Sequence, residues 1–401
     1  MNNLYTEYHL IESKVKNRSV FLFGAGEISS RTKRRLHVPY TCIVDNNPEL
    51  HGMTENGLKI IPFSSITNEE TPFFIICTTS FPDIATQLKE HGFIAGDDFV
   101  VSPALNNYQI VEKILSLKSR FIFSSGYPVD SAKDRGGGVY LVELDGQKWD
   151  YKKIYSGICH GILLHEEDIL FVDQIKGIVK MSKNLDVKKT YSVPNGSRCH
   201  GLAFNNLSKR FYSCASHSEM VYEFDSDFQL INQYPISDKL KYDGVPSHHI
   251  NDICSVGSSI YVSMFSYTGN FRREIFDGVV VEYSTTDFRE RGIVIDNLWM
   301  PHNVEYLAGS LTVLDSLRGN LIRNNSLNVG KFPGFTRGLD YNDGLFYVGQ
   351  SRNRNFSKVL GVSNNISLDS GITVFDEKSK VSRNLSLPPA ISEIHSIRIL
   401  D

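Results

Sequence analysis

The sequence predicts an α/β plus all-β chain, a small Rossmann-like parallel-sheet domain followed by a six-bladed β-propeller whose C-terminal strand closes the first blade. Three observations carry this reading. An apolar run of strand length ends at Phe23 and leads through Gly24-Ala-Gly26 into a helical stretch. Near residue 118 the pattern changes to short alternating runs separated by Gly, Asn, Asp and Ser clusters. From there a histidine opens one unit after another.

A chain of 401 residues is too long for one ordinary domain. With 41% hydrophobic and 22% charged residues it is a globular sequence, unlike a disordered, collagenous or coiled-coil one. A net charge of -3 gives no reason to expect a nucleic acid partner. The N-terminal MNNLYTEYHLIESKVKNRS lacks the apolar core of a signal peptide, and no window has the run of roughly 18 apolar residues that spans a membrane. The expectation is a cytoplasmic protein. Its six cysteines form no CxxC pair, which fits free thiols in a reducing compartment.

Leu4, Tyr8, Ile11 and Val15 recur at helical spacing and predict a short amphipathic helix. Ser19–Phe23 then reads as a strand, followed by the glycine turn and a helix over 30–36. Glycines in this context let backbone amides approach a phosphate at a helix N-terminus. A second strand, Tyr40–Val44, ends in Asp45, at the distance from Gly24 expected of an acid that holds a ribose hydroxyl. Ser29 stands where the motif has its third small residue. A strand over 73–77, a helix over 83–91 and a strand over Phe99–Val101 complete one βαβ half and a little more, so residues 1–102 make a mononucleotide-sized domain.

The pattern FGAGE, VDNNPELHG, IICTTS resembles the small N-terminal domains of sugar O-acetyltransferases and other bacterial surface-polysaccharide enzymes. That resemblance implies a nucleotide or nucleotide-sugar at Gly24, Gly26, Glu27 and Asp45. A scaffold without a ligand is the competing reading. An NAD-dependent oxidoreductase is disfavoured by Ser29 and by the missing second half.

Residues 103–118 predict a linking helix with Ile110, Val111, Ile114, Leu115 and Leu117 on one side, and the propeller occupies 119–401. Gly157-Ile-Cys-His160-Gly-Ile and Ser197-Arg-Cys-His200-Gly-Leu open two units. His249-Ile-Asn-Asp252, Pro301-His302-Asn303, Thr336-Arg337-Gly and Glu393-Ile-His395 open four more. A mean of about 47 residues per unit suits a four-stranded blade. The last unit supplies only a first strand, whereas three strands without a first precede His160, so joining them completes one blade and removes an open edge.

The first strand of a blade lies nearest the axis, so His160, His200, His249, His302 and His395, with Arg337 in the sixth place, are expected to ring one mouth of the channel. Imidazole nitrogen suits a divalent transition metal such as Fe, Mn, Zn or Ni better than Ca or Mg. Histidines repeated for packing alone are the alternative. Arg337, Asp252, Asp315 and Gln350 are the candidate catalytic residues around the ring, a guanidinium being able to clamp a carboxylate or phosphate. Gly338-Leu-Asp-Tyr-Asn-Asp-Gly-Leu-Phe-Tyr-Val-Gly is similar to blades of gluconolactonase-like lactonases, which hold their ion with Glu, Asn and Asp. The histidine set resembles in kind those of carotenoid oxygenases and some propeller polysaccharide lyases. Along the repeat, over roughly residues 120–401, the sequence resembles bacterial six-bladed propeller proteins of unassigned function. The resulting expectation is a metal-dependent enzyme acting on a polar, sugar-derived or nucleotide-linked small molecule, as lyase, oxygenase, epimerase or hydrolase. A non-enzymatic binding propeller with a docking Rossmann-like domain is the alternative.

Overall fold

Apolar runs and glycine turns organise the chain into two units, Met1–Lys113 and Ile114–Asp401. The structure, a computed structural model, describes residues 4, 6–66, 71–126, 136–325, 327–353 and 366–400.

In the first unit β1 (Ser19–Phe23), β2 (Tyr40–Val44), β3 (Thr54–Glu55), β4 (Leu58–Ile61), β5 (Pro72–Ile76) and β6 (Phe99–Val101) form one sheet in the order β3-β4-β2-β1-β5-β6. Alternate residues of β1 enter two separate cores, Phe21 and Phe23 one, Val20 and Leu22 the other. Burial on both faces explains why this strand reads as a continuous apolar run. The sheet is mixed and not wholly parallel as expected, because β3 pairs antiparallel with β4. Asn56 and Gly57, at φ 50° and 76°, make the two-residue turn between them, and an Asn-Gly pair is the residue choice such a turn needs. The helix after the glycine turn, Glu27–Arg35, starts earlier than predicted. Ser29 is buried in its first turn and bonds back to the Gly26 carbonyl at 2.7 Å, which is how a hydroxyl fits the third position.

The second unit is a six-bladed β-propeller of four-stranded antiparallel sheets. Five begin with the strands Cys159–His165, Cys199–Asn205, Ile250–Val256, His302–Leu307 and Phe335–Asn342. In the sixth sheet Ser396–Ile399 pairs antiparallel with Lys118–Ser125, which continues to Gly138–Asp145 and Lys148–Tyr155. Lys118 thus already lies in a strand, inside the stretch expected as a linking helix; the helix there is Asn106–Leu115. The first strands of neighbouring sheets touch. A Cβ on Gly161 would stand 2.6 Å from the His200 carbonyl oxygen, and one on Gly201 2.5 Å from Asp252 Oδ1, so the glycine after each Cys-His permits this approach. Outermost strands such as Val187–Tyr191 are exposed and carry lysines, which blunts their unpaired edges.

Candidate functional site

Each of the five first strands has a register irregularity near its start, between Cys159 and Ile162, Cys199 and Leu202, Ile250 and Asp252, His302 and Glu305, and Thr336 and Leu339. An extra residue there re-aims the side chains that precede it. In this way the strand openings of successive blades converge.

The side chains touch one another in sequence around the meeting point. The rings of His160 and His200 stack with centroids 4.2 Å apart and planes 22° from parallel. His200 meets His249 at 6.2 Å, and His249 lies 4.3 Å from Phe265. Phe265 meets His302 at 5.2 Å, and His302 meets Phe335 at 5.4 Å. The Arg337 guanidinium sits 4.9 Å above Phe335 and reaches Glu393 at 3.9 Å. Glu393 Oε2 is 3.2 Å from His395 Nε2, and His395 returns to His160 at 4.5 Å. The structure therefore brings together all five predicted histidines and Arg337. It adds Glu393, Phe265 and Phe335, which the repeat did not single out.

His249 joins by a different route from the others. Counting back from the buried Ile253 as from Ile162 and Leu202, Asn251 stands where His160 and His200 do, and its amide donates to the Pro301 carbonyl at 2.8 Å. His249 precedes the strand, takes φ 52°, and is held there by Glu219, whose Oε1 accepts from the amides of Ser247, His248 and His249 at 2.7, 2.5 and 2.9 Å. His248 turns away to Ser237 and the Ser266 carbonyl. No sequence signal marks Glu219 for this role.

Burial favours the neutral form of four of these imidazoles. Burial, then the His395 charge, holds His160 well below the usual histidine range; burial, then His160, does so for His200; and burial, then Arg337, for His302. Burial, followed by Arg337, lowers His249 to about 3. His302 has a defined tautomer: Nδ1 donates toward the Met300 carbonyl at 2.9 Å, leaving Nε2 to accept from Arg337 Nε at 3.1 Å. His160 Nε2 lies 3.4 Å from Gln174 Oε1, while its buried Nδ1 finds no hydrogen-bond partner among the described residues.

These donors have the right chemistry for a transition metal, but not the arrangement. Stacked rings place the nitrogens of His160 and His200 in nearly parallel planes instead of aiming them at one point. Among the described residues no three or more His, Cys, Asp or Glu are grouped to hold a metal ion.

Three predicted catalytic residues lie elsewhere. Asp315 is buried and accepts from the Trp299 amide at 2.7 Å and from Arg318 at 2.6 Å, so it staples a turn. Gln350 accepts from the Gly334 amide at 3.0 Å and donates to Thr373, a structural bridge within its blade. Both sit at second-strand ends, where a polar side chain serves unpaired turn amides. Asp252 belongs to a second cluster with Glu305, Asp340 and Arg398, three residues along from His249, His302, Arg337 and His395. Arg398 pairs with Glu305, and Asp340 accepts from the Ile399 amide at 2.7 Å.

Burial and then the Glu305 charge push Asp252 up to about 8. A carboxyl whose folded pKa exceeds its unfolded value of about 3.9 takes up a proton on folding, so the stability it contributes is complete in acid and is lost as pH rises from about 4 through 8. The Tm of the wild type is therefore expected to fall more steeply between about pH 5 and pH 9 than that of Asp252→Asn. Parallel slopes would show that Asp252 is ionised in the folded protein throughout.

The first unit has its own cavity of about 440 Å³, lined by Gly24, Ala25, Gly26, Glu27, Asp45 and Thr78 among others. All four residues expected there are present. Asp45 already serves the loop, accepting from the Ala25 and Asn47 amides at 2.7 and 2.8 Å. Gly24 has φ 111°, and a Cβ there would come within 3.2 Å of the Cys77 carbonyl, so the turn needs glycine. Among the described residues no lysine or arginine lines this cavity, which leaves a phosphate backbone amides and the side chains of Asn46, Thr78, Thr79 and Ser80 to meet.

Residues 247–401, which hold His249, His302, Arg337, Glu393 and His395, match a family model described as a domain of unknown function, DUF4915. No curated protein matches the chain. Among solved structures it is similar to one in a nidogen/laminin complex, at 10% identity over 71% of this chain and 98% of that one, with a TM-score of 0.49. It is similar also to a protein of unknown function from Bacteroides caccae, at 13% identity over 70% and 98%, TM-score 0.47. A third is virginiamycin B lyase from Staphylococcus aureus, at 9% identity over 68% and 87%, TM-score 0.42.

Proposed function

We propose that the protein is an enzyme whose active site is the histidine cluster on the propeller axis, and that it moves protons on a polar, sugar-derived substrate, as a lyase or epimerase does. The observation that carries this is the buried, neutral His160 with an uncommitted Nδ1, set in an unbroken run of contacts with His200, His395, Glu393 and Arg337. A neutral imidazole with a ring nitrogen to spare can accept a proton from carbon or oxygen, and an anionic substrate beside it would raise the basicity that burial lowers. Glu393 orients His395, and Arg337, seated on Phe335, offers its guanidinium to charge developing on the substrate. The sugar class is supported by the FGAGE, VDNNPELHG and IICTTS motifs, which contribute Gly24, Gly26, Asp45, Asn46 and Thr78 to the lining of the first unit's cavity and would take a nucleotide or nucleotide-sugar there.

A metal-dependent form of this reading is favoured by the same uncommitted nitrogen. His160, His200 and His395 would hold Fe, Mn, Zn or Ni once their rings turned to face one point, and the ion would supply a Lewis acid or a bound water. Near-stoichiometric metal in untagged protein, absent from His200→Ala, selects that form; active metal-free protein selects imidazole chemistry alone.

The test is deuterium uptake. Full-length protein in D₂O, with glucuronic acid, glucose and their uridine diphosphate conjugates, is expected to place deuterium on a ring carbon or release an unsaturated product from one of the four. No uptake and no product from any of them, with or without the four metals, would leave a binding propeller in place of an enzyme.

A further inference from the structure

The rim of the histidine cluster has a definite charge. Arg198 immediately precedes the strand that carries His200, and its Nη1 donates to His217 Nε2 at 2.8 Å. The His217 amide in turn donates to the Ser197 carbonyl at 3.1 Å, so the pair is pinned where that blade opens. Arg272 lies in a single helical turn, Phe271–Arg273, with its Nε on the Pro246 carbonyl at 2.8 Å and its guanidinium 5.6 Å above Phe271. The Phe271 ring is 5.1 Å from that of His249, which places Arg272 beside His249 at the edge of the cluster. Arg198, His217 and Arg272 are exposed, whereas the nearby Glu219 is buried with one oxygen given to three amides. The arginines that bear on His249 are Arg337, Arg198 and Arg272, all cationic, while burial and then Arg198 and Arg272 hold His217 toward its neutral form.

We infer that the ligand of the cluster is an oxyanion, a carboxylate or a phosphate, gathered by Arg198 and Arg272 at the rim and met inside by Arg337. This rests on the reading that the cluster is the functional site. The guanidinium forks suit either anion, and each rim arginine is anchored by one bond to the protein while keeping further N–H donors for a ligand. Converging cations above a desolvated site also raise the local concentration of an anionic ligand.

The experiment is calorimetric titration of the full chain with glucuronate, inorganic phosphate and glucose at one ionic strength. Saturable binding of glucuronate, of phosphate or of both is expected, and none of glucose; the two anions tell a carboxylate ligand from a phosphate. The Arg198→Gln/Arg272→Gln protein, altered only at exposed positions, is expected to bind at least about tenfold more weakly with an unchanged Tm, because each charge-assisted bond is worth about that factor. Binding of neither anion, binding of glucose as tight as glucuronate, or anion affinity unchanged in the double variant would overturn the inference. Arginine-dependent anion binding without deuterium uptake defeats the enzymatic reading alone. Uptake on glucose without anion binding defeats this one alone.

Discussion

Alanine at His160 is expected to lower deuterium uptake by about 10²- to 10⁴-fold, the usual contribution of a positioned acid or base, while the Tm stays near that of the wild type. The separation follows from what the side chain touches. Among the described residues its side chain makes one polar contact, the 3.4 Å approach to Gln174, and the rings packed on it, His200 and His395, lose a ring contact but no hydrogen bond. A polar void of that size accepts water. His302→Ala is a useful contrast, since Nδ1 engages Met300 and Ser316 while Nε2 engages Arg337, so both stability and turnover are expected to fall. Full activity in His160→Ala would remove this residue from the chemistry.

Arg398→Met is expected to be among the most destabilising single changes, by about 3–5 kcal/mol near neutral pH, because it strands carboxylates deep in the propeller. Arg398 faces Glu305, Asp340 and Asp252 together and is 14% exposed in its side chain against 16% for Glu305. It also donates to the Leu339 and Ile397 carbonyls at 3.0 and 2.9 Å. Burial raises both Glu305 and Asp340 above the ordinary carboxylate range, so acid neutralises what the arginine no longer compensates. The loss should therefore shrink at lower pH, and Glu305→Gln should restore part of it in the double variant. Denaturant midpoints at two pH values check this. An equal loss at both would mean that the stem packing of Arg398, not its charge, is what matters.

Much of the candidate site was legible because a propeller repeats it. Histidine recurs just before a buried aliphatic residue in Cys-His-Gly-Ile and Cys-His-Gly-Leu, and that position falls beside the axis in each blade. What could not be read is how a blade departs from the repeat. In the third, Asn251 takes the register place and His249 arrives from the preceding loop, because a bulge moves side chains by one residue and leaves no mark in composition. Asp315 and Gln350 were misplaced for a related reason. A polar residue at a strand end looks the same whether its partner is a ligand or a turn amide, and only the partner decides. In the first unit Asn56-Gly57 carried a hairpin signal between two short strands that were too brief to register as a periodic pattern.

The central claim is that the axial histidines form a neutral, desolvated ligand site. Heteronuclear NMR of protein labelled with ¹⁵N-histidine, with His160, His200, His249 and His302 assigned by single replacements, tests it most directly. The expected result is four neutral imidazoles from about pH 5 to pH 8, all well below the ordinary histidine pKa of about 6.5, whose signals move when glucuronate or phosphate is added. Four histidines that titrate near that ordinary value and ignore both anions would contradict the account.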